Sequence, residues 1–175
     1  MRPEGLLVHQ DGEPTIRLER YVAEHGLALT RFAYLVCGDR GRAEDLAQEV
    51  YLALYRRFGA ELPAGLPASY ARTAIVRAQI SHRRRHRLTE RPTAELPDQA
   101  AVSTDPADSD ELWTLLAGLS HRQRCVLVLR YRYGCADDEI AETLGCRRAT
   151  VRSLAARALA DLRADRAVTY LAGEF

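Results

Sequence analysis

The chain has 175 residues, 47% of them hydrophobic, and a net charge of +1 from 25 basic and 24 acidic side chains, enough apolar material for one core or two small ones. It contains no lysine, every basic residue in that count being arginine, which excludes a phosphate-loop lysine and a Schiff-base catalyst. Cys37, Cys125, Cys135 and Cys146 lack the paired C-x-x-C spacing of a zinc site, and no apolar run reaches the roughly 18 residues of a membrane span; reduced thiols in a cytoplasmic protein without metal or cofactor are the expectation.

Residues 1–14 mix polar residues with Gly5, Gly12 and two prolines and read as a loose tail. A helix pattern starts near Ile16 and runs through Leu18, Tyr21, Val22, Leu29, Phe32, Leu35 and Val36 to a stop at Gly38, with Gly26 marking a bend or interruption. Asp39 then stands as an N-cap before a second helix, Arg42 to Phe58. On that helix Asp45, Gln48, Glu49 and Leu52 follow i, i+3, i+4, i+7 spacing, while Leu46, Val50, Ala53 and Leu54 serve the core. A polar stripe holding one leucine suits a protein partner, and periodicity alone describes an ordinary solvated face equally well.

Gly59 to Pro67 is a loop with Pro63, Gly65 and Pro67. Ser69 is placed to cap a third helix that ends in the arginine run near Arg87. Around this helix the charge is one-sided: Arg72, Arg77, Arg83, Arg84, Arg85, Arg87 and Arg91 face the single acid Glu90. Such a cationic segment suits contact with an anionic partner. A generic phosphate contact or a solvated helix end explains the arginines as well.

Residues 89–109 combine prolines, acids, alanines and small polar residues, and from Pro92 to Glu111 no basic residue occurs. A flexible acidic linker is expected there. Beyond it Leu112, Trp113, Leu115 and Leu116 open a second apolar pattern with Trp113 as core anchor, and Ser120 with Gln123 forms a capping box for a helix carrying Val126, Leu127, Leu129 and Tyr131.

A short helix follows from Asp137 to a stop at Gly145, with an acidic start, and then a longer one opens at Arg147. Short helix, glycine turn and basic second helix form the helix-turn-helix pattern, whose second helix enters the major groove of DNA. On the second helix Val151, Leu154, Ala155, Ala158 and Leu162 fall on one arc, and Arg152, Ser153, Ala156 and Arg157 fall opposite, with Arg148, Ala149 and Thr150 beside them. Small residues between arginines let a helix approach base edges while guanidinium forks reach guanine or phosphate. The predicted fold is all-α: two small helical domains, residues 15–88 and 110–166, joined by the linker 89–109 and flanked by the tails 1–14 and 167–175.

Taken together, Leu35 to Phe58, Ala68 to Arg87 and Leu119 to Arg163 resemble the extracytoplasmic-function (ECF) group of bacterial RNA polymerase sigma factors, which have only the second and fourth sigma domains. Gly38-Asp39-Arg40 and Ala43-Glu44-Asp45-Leu46-Ala47-Gln48-Glu49 are similar to the group's core-binding helix. Glu139-Ile140-Ala141-Glu142, Leu144-Gly145-Cys146, Thr150-Val151-Arg152-Ser153 and Arg157-Ala158-Leu159 resemble its helix-turn-helix. The resemblance implies a promoter-recognition subunit and no enzyme. Asp45, Gln48, Glu49 and Leu52 would dock on the clamp helices of the largest subunit of core RNA polymerase. Tyr70, Arg72, Arg77, Arg83, Arg84 and Arg85 would open and hold the −10 element. Arg147, Arg148, Thr150, Arg152, Ser153 and Arg157 would read the −35 element, and the helices from Leu112 to Tyr133 would meet the polymerase flap. The partners implied are core RNA polymerase, promoter DNA and an anti-sigma factor.

This chain departs from the group by having Tyr70 near a usual tryptophan, Arg77 for a usual asparagine, Arg147 for the usual serine cap of the recognition helix and Leu154 for a usual arginine. The rival reading is a stand-alone helix-turn-helix regulator that binds duplex DNA without polymerase, which leaves the stripe on the second helix unexplained. An RNA-binding role for the run Arg83-Arg84-Arg85 is a further rival. An enzyme is more remote: His82 and His86 have i, i+4 spacing, but the arginines between them oppose a cation.

Overall fold

The computed structural model describes residues 7–8, 14–89 and 108–172, with side chains from 14 to 85 and from 112 to 164. The chain divides into two compact units, the first holding residues up to Tyr34 and those from Asp39 through the third helix, the second holding Leu35–Gly38 and the rest of the chain beyond.

In the first unit, helix α1 (Leu18–Cys37) runs through Gly26 without a break and buries Tyr21, Leu29, Phe32 and Ala33. Gly26 is held inside the fold by the Tyr51 hydroxyl, which donates to its carbonyl at 3.5 Å. Helix α2 (Arg40–Phe58) begins where the Asp39 carboxylate accepts from the Arg42 amide at 2.6 Å, in an extended backbone conformation suited to an N-cap. It ends at Gly59, whose positive φ of 78° lets its amide turn back to the Tyr55 carbonyl at 2.7 Å. Leu46, Val50 and Leu54 are buried as their spacing requires, whereas Ala53, expected in the core, is exposed.

A small antiparallel sheet lies where a tail and a loop are expected. Strands β1 (Leu7–Val8), β2 (Pro14–Arg17) and β3 (Glu61–Pro63) pair in the order β1-β2-β3, with Thr15 opposite Leu7 and Ile16 opposite Leu62. Strands of two to four residues carry too few positions for a period-two pattern. Ile16 accordingly lies on a strand, and the first helix starts two residues later. The sheet braces the segment before helix α3 (Ala68–Thr89), and β3 and α3 both pack on α2 or its neighbours, with Leu62, Ala71, Ile75 and Val76 buried. Ser69 is not the cap: α3 starts one residue earlier, the Tyr70 amide bonds the Pro67 carbonyl at 2.9 Å, and Ser69 stands exposed in the first turn.

The expected linker falls largely outside the described residues; its outermost positions, Thr89 at one end and Asp108 and Ser109 at the other, belong to helices. The second unit comprises α4 (Asp108–Leu116), α5 (His121–Leu127), α6 (Asp137–Leu144) and α7 (Arg148–Ala172). α5 opens on the capping box read from the sequence: the Gln123 amide donates to Ser120 Oγ at 3.4 Å and the Ser120 amide to Gln123 Oε1 at 3.0 Å. It continues into a π-helical turn, Val128–Arg132, where Tyr131 leaves the apolar phase of its neighbours and is exposed. α5 and α6 pack on α7 around Cys125, Val126, Ile140, Leu144, Val151, Ala155 and Ala158. Trp113 is half-buried, with the Arg124 guanidinium 4.8 Å above its ring. Arg124 is itself buried and donates to the Leu119 carbonyl at 3.0 Å. The backbone of α7 extends to Ala172, so most of the expected C-terminal tail is helical.

Cys37 and Cys125 are buried, Cys135 and Cys146 half-buried, and none of the four is in a disulfide. Among the described residues, no three His, Cys, Asp or Glu side chains are grouped so as to hold a metal ion, and no helix is long and apolar enough to cross a membrane.

Candidate protein and nucleic-acid interfaces

The buried face of α2 fixes its opposite face. With Leu46, Val50 and Leu54 turned inward, Asp45, Gln48, Glu49 and Leu52 are all exposed, Leu52 by 47%. Glu49 is oriented by Arg42, whose Nη1 donates to Glu49 Oε1 at 2.9 Å while its Nε reaches the buried Gln79 of α3 at 3.4 Å. Arg42 therefore links the stripe to the neighbouring helix. Tyr55 extends the stripe by one turn and is 53% exposed, a position the spacing i+3 from Leu52 could have supplied.

The six candidate residues of α3 do not share one face. Tyr70, Arg77 and Arg84 recur every seven residues and are exposed, with Arg85 exposed beside them. Arg72 and Arg83 lie with the buried Val76 and Gln79 on the inward side and are only half-exposed. Arg72 is close enough to Tyr21 to affect it: burial pushes the Tyr21 phenol up in pKa, the Tyr51 phenol adds to this, and the Arg72 charge opposes it. At the start of α3, Tyr70 meets Phe58 edge to face at 6.2 Å, and the Arg57 guanidinium lies 5.3 Å from the Phe58 ring and 5.9 Å from the Tyr70 ring. This cluster of two rings and a cation borders the turn from Gly59 to Pro67. Arg57 and Phe58 are its contributors that the sequence pattern leaves out.

The helix-turn-helix is α6, Gly145 and α7. Gly145 takes the left-handed conformation, φ 59° and ψ 46°, and the Cys146 amide bonds back to the Ala141 carbonyl at 2.9 Å. The first turn of α6 lacks a side-chain cap from Ala136, and Glu139 compensates by accepting from the Ala136 amide at 2.7 Å. Arg122 donates to the Leu144 carbonyl at 3.0 Å, which ties α5 to the end of α6. On α7, Val151, Leu154, Ala155 and Ala158 are buried and Leu162 half-buried, while Arg148, Arg152, Ser153 and Arg157, with Arg147 just before the helix, are exposed and Thr150 half-exposed, close to the two arcs of the sequence pattern.

Two of these arginines meet acids at the start of α6. Arg148 Nη1 lies 3.2 Å from Asp138 Oδ2, and Arg152 Nε lies 3.4 Å from Asp137 Oδ2. The other Asp137 oxygen accepts a hydrogen bond from Arg130 on the π-helical turn. The Arg130 hydrogen bond and charge, with a further contribution from Arg152, hold the Asp137 carboxyl below the usual aspartate range against the opposing effect of its partial burial. Arg157 turns back to the Ser153 carbonyl at 3.3 Å.

Residues 21–89 match the family model described as Sigma-70 region 2, and residues 109–162 match Sigma-70, region 4. The chain is 32% identical over 152 residues to the RNA polymerase sigma-E factor of Streptomyces avermitilis, covering 86% of this chain and 85% of that one. It is 33% identical over 180 residues to the ECF RNA polymerase sigma factor ShbA of Streptomyces griseus subsp. griseus, covering 91% and 93%. In fold it is similar to the sigma factor RpoE of Bartonella quintana, solved in complex with the anti-sigma factor NepR, at a TM-score of 0.60 and 21% identity over 83% of this chain and 93% of that one. CnrH, solved with the cytosolic domain of CnrY, gives 0.56 at 21% identity, over 86% and 88%. With both sigma regions in order along one chain, the protein belongs to the ECF RNA polymerase sigma factors, subunits that bind core polymerase and direct promoter-specific initiation by recognising −35 and opening −10 elements.

Proposed function

We propose that this sigma factor divides its task by residue as follows. The exposed stripe Asp45, Gln48, Glu49 and Leu52, extended by Tyr55, docks on the clamp helices of the largest polymerase subunit, with Arg42 holding Glu49 ready. Tyr70, Arg77, Arg84 and Arg85 hold the separated −10 strand, charge meeting phosphate and the Tyr70 ring stacking on a base. Arg72 and Arg83 act at second hand, supporting α3 from its inward side. Arg147, Arg148, Thr150, Arg152, Ser153 and Arg157 read or grip the −35 duplex. Leu115 and Tyr131, exposed apolar residues of the second unit, meet the polymerase flap.

The modules are residues 15–88 and 110–166, with 89–109 as the tether. The protein is a cytoplasmic regulator without catalysis of its own, and an anti-sigma protein of the kind bound by the Bartonella quintana relative holds it inactive. One observation carries the reading: an exposed polar stripe on α2 and the arginine-lined face of α7 occur in one chain, each inside its own sigma region.

Reconstitution tests it. Core polymerase with the full chain is expected to initiate at a cognate promoter that neither selects alone. Gln48→Ala with Glu49→Ala should abolish that gain and the binding to core; unchanged binding would place the docking face elsewhere. Selective binding of the duplex by the chain alone would favour a stand-alone regulator.

A further inference from the structure

We propose that Asp137 is a positioning residue for promoter reading: it holds the Arg152 guanidinium by its Nε edge and leaves the two terminal nitrogens for a base. The inference rests on α7 being the −35 recognition helix.

The geometry is asymmetric in a way that suits this task. Asp137 is anchored on one side by Arg130, and both of these side chains are mostly covered, 18% and 23% exposed. On the other side its Oδ2 lies 3.4 Å from Nε of Arg152, whose side chain is 63% exposed. The fixed end of the triad is thus in the protein and the open end is on the recognition face. An arginine reads guanine through two parallel hydrogen bonds to O6 and N7, which requires its plane to be aligned. A carboxylate that binds one edge of the fork removes part of the side chain's freedom before DNA arrives, so less is lost on contact. The same negative charge repels phosphate. Asp137 therefore favours the one register in which Arg152 meets its base and disfavours backbone binding in others. The neighbouring pair, Arg148 with Asp138, lacks the anchor: its side chains are 54% and 70% exposed, and it serves as a control.

The test measures binding of holoenzyme, assembled from the full chain and core polymerase, to cognate promoter and to every single-base variant of its −35 element. Arg152→Ala should lower discrimination at one base position by roughly tenfold, the loss of a bidentate contact. Asp137→Asn should lower discrimination at that same position several-fold, leave other positions unchanged and leave nonspecific binding equal or stronger. Asp137→Glu should restore part of the loss, Asp138→Asn should leave that position unchanged, and Asp137→Asn added to Arg152→Ala should lower discrimination at that position no further. If Arg152→Ala lowers discrimination while Asp137→Asn does not, or if Asp137→Asn weakens every position equally, the positioning role is overturned. If Arg152→Ala alters no base position, Arg152 is not a base reader, and the inference falls together with that part of the −35 assignment.

Discussion

A single carboxylate, Asp137, joins three elements of the second unit, and its protonation has a defined sign. Its folded pKa lies below the unfolded value, so its contribution to stability is present above the unfolded pKa and is lost as pH falls through the folded one. Denaturant unfolding should therefore find the native chain more stable than Asp137→Asn at neutral pH, with the gap closing as pH drops through and below about 4, the ordinary aspartate range. Gly145 offers a cleaner backbone test. A Cβ there meets nothing within 4 Å, and the cost of Gly145→Ala comes only from the left-handed φ. That cost should be roughly 1–2 kcal/mol in thermal or denaturant unfolding. Gly145 was legible as a helix stop because only a residue tolerant of this conformation ends the pattern there. Arg124 was not legible, because a buried arginine stacked on Trp113 leaves no periodic trace among apolar neighbours.

At the scale of elements, caps and glycine stops define the helices of this chain more sharply than propensity does. Asp39→Ala should weaken α2 by about 1 kcal/mol, read by unfolding, because the Arg42 amide loses its acceptor. α3 shows where a list of charges misleads: counting the run Arg83-Arg84-Arg85 gives no hint that Arg83 shares its side with Val76 and Gln79. Arg77→Ala and Arg84→Ala should each weaken promoter binding by holoenzyme and lower the slope of log affinity against log salt by about 1, as for a lost phosphate contact. Arg72→Ala should instead lower the stability of the chain and leave that slope unchanged. The pattern on α7 was readable because its buried and exposed arcs are cleanly separated by helical period. The three strands were not, since their pairing is set by partners up to 48 residues apart, Thr15 with Pro63 among them, and no local sequence signal encodes it.

For the molecule as a whole, near-neutral charge conceals a segregated one. The basic residues that face outward on α3 and α7 are balanced elsewhere, so binding to promoter DNA should be strongly salt-dependent despite a net charge of +1. The function was legible because two unrelated motifs occur in a fixed order; either alone fits several roles. What a sequence leaves open at this scale is which of many arginines turn outward, a matter decided by packing.

The π-helical turn Val128–Arg132 accommodates one residue more than an α-helical path needs. Deleting a residue there should let the segment relax into ordinary α-helical winding, with the flanking path kept and only the residues inside the turn reoriented. Arg130 would then swing off its carboxylate anchor although the helix itself survives. The anchor of Asp137 thus depends on a local winding of the backbone as well as on the two side chains that meet there.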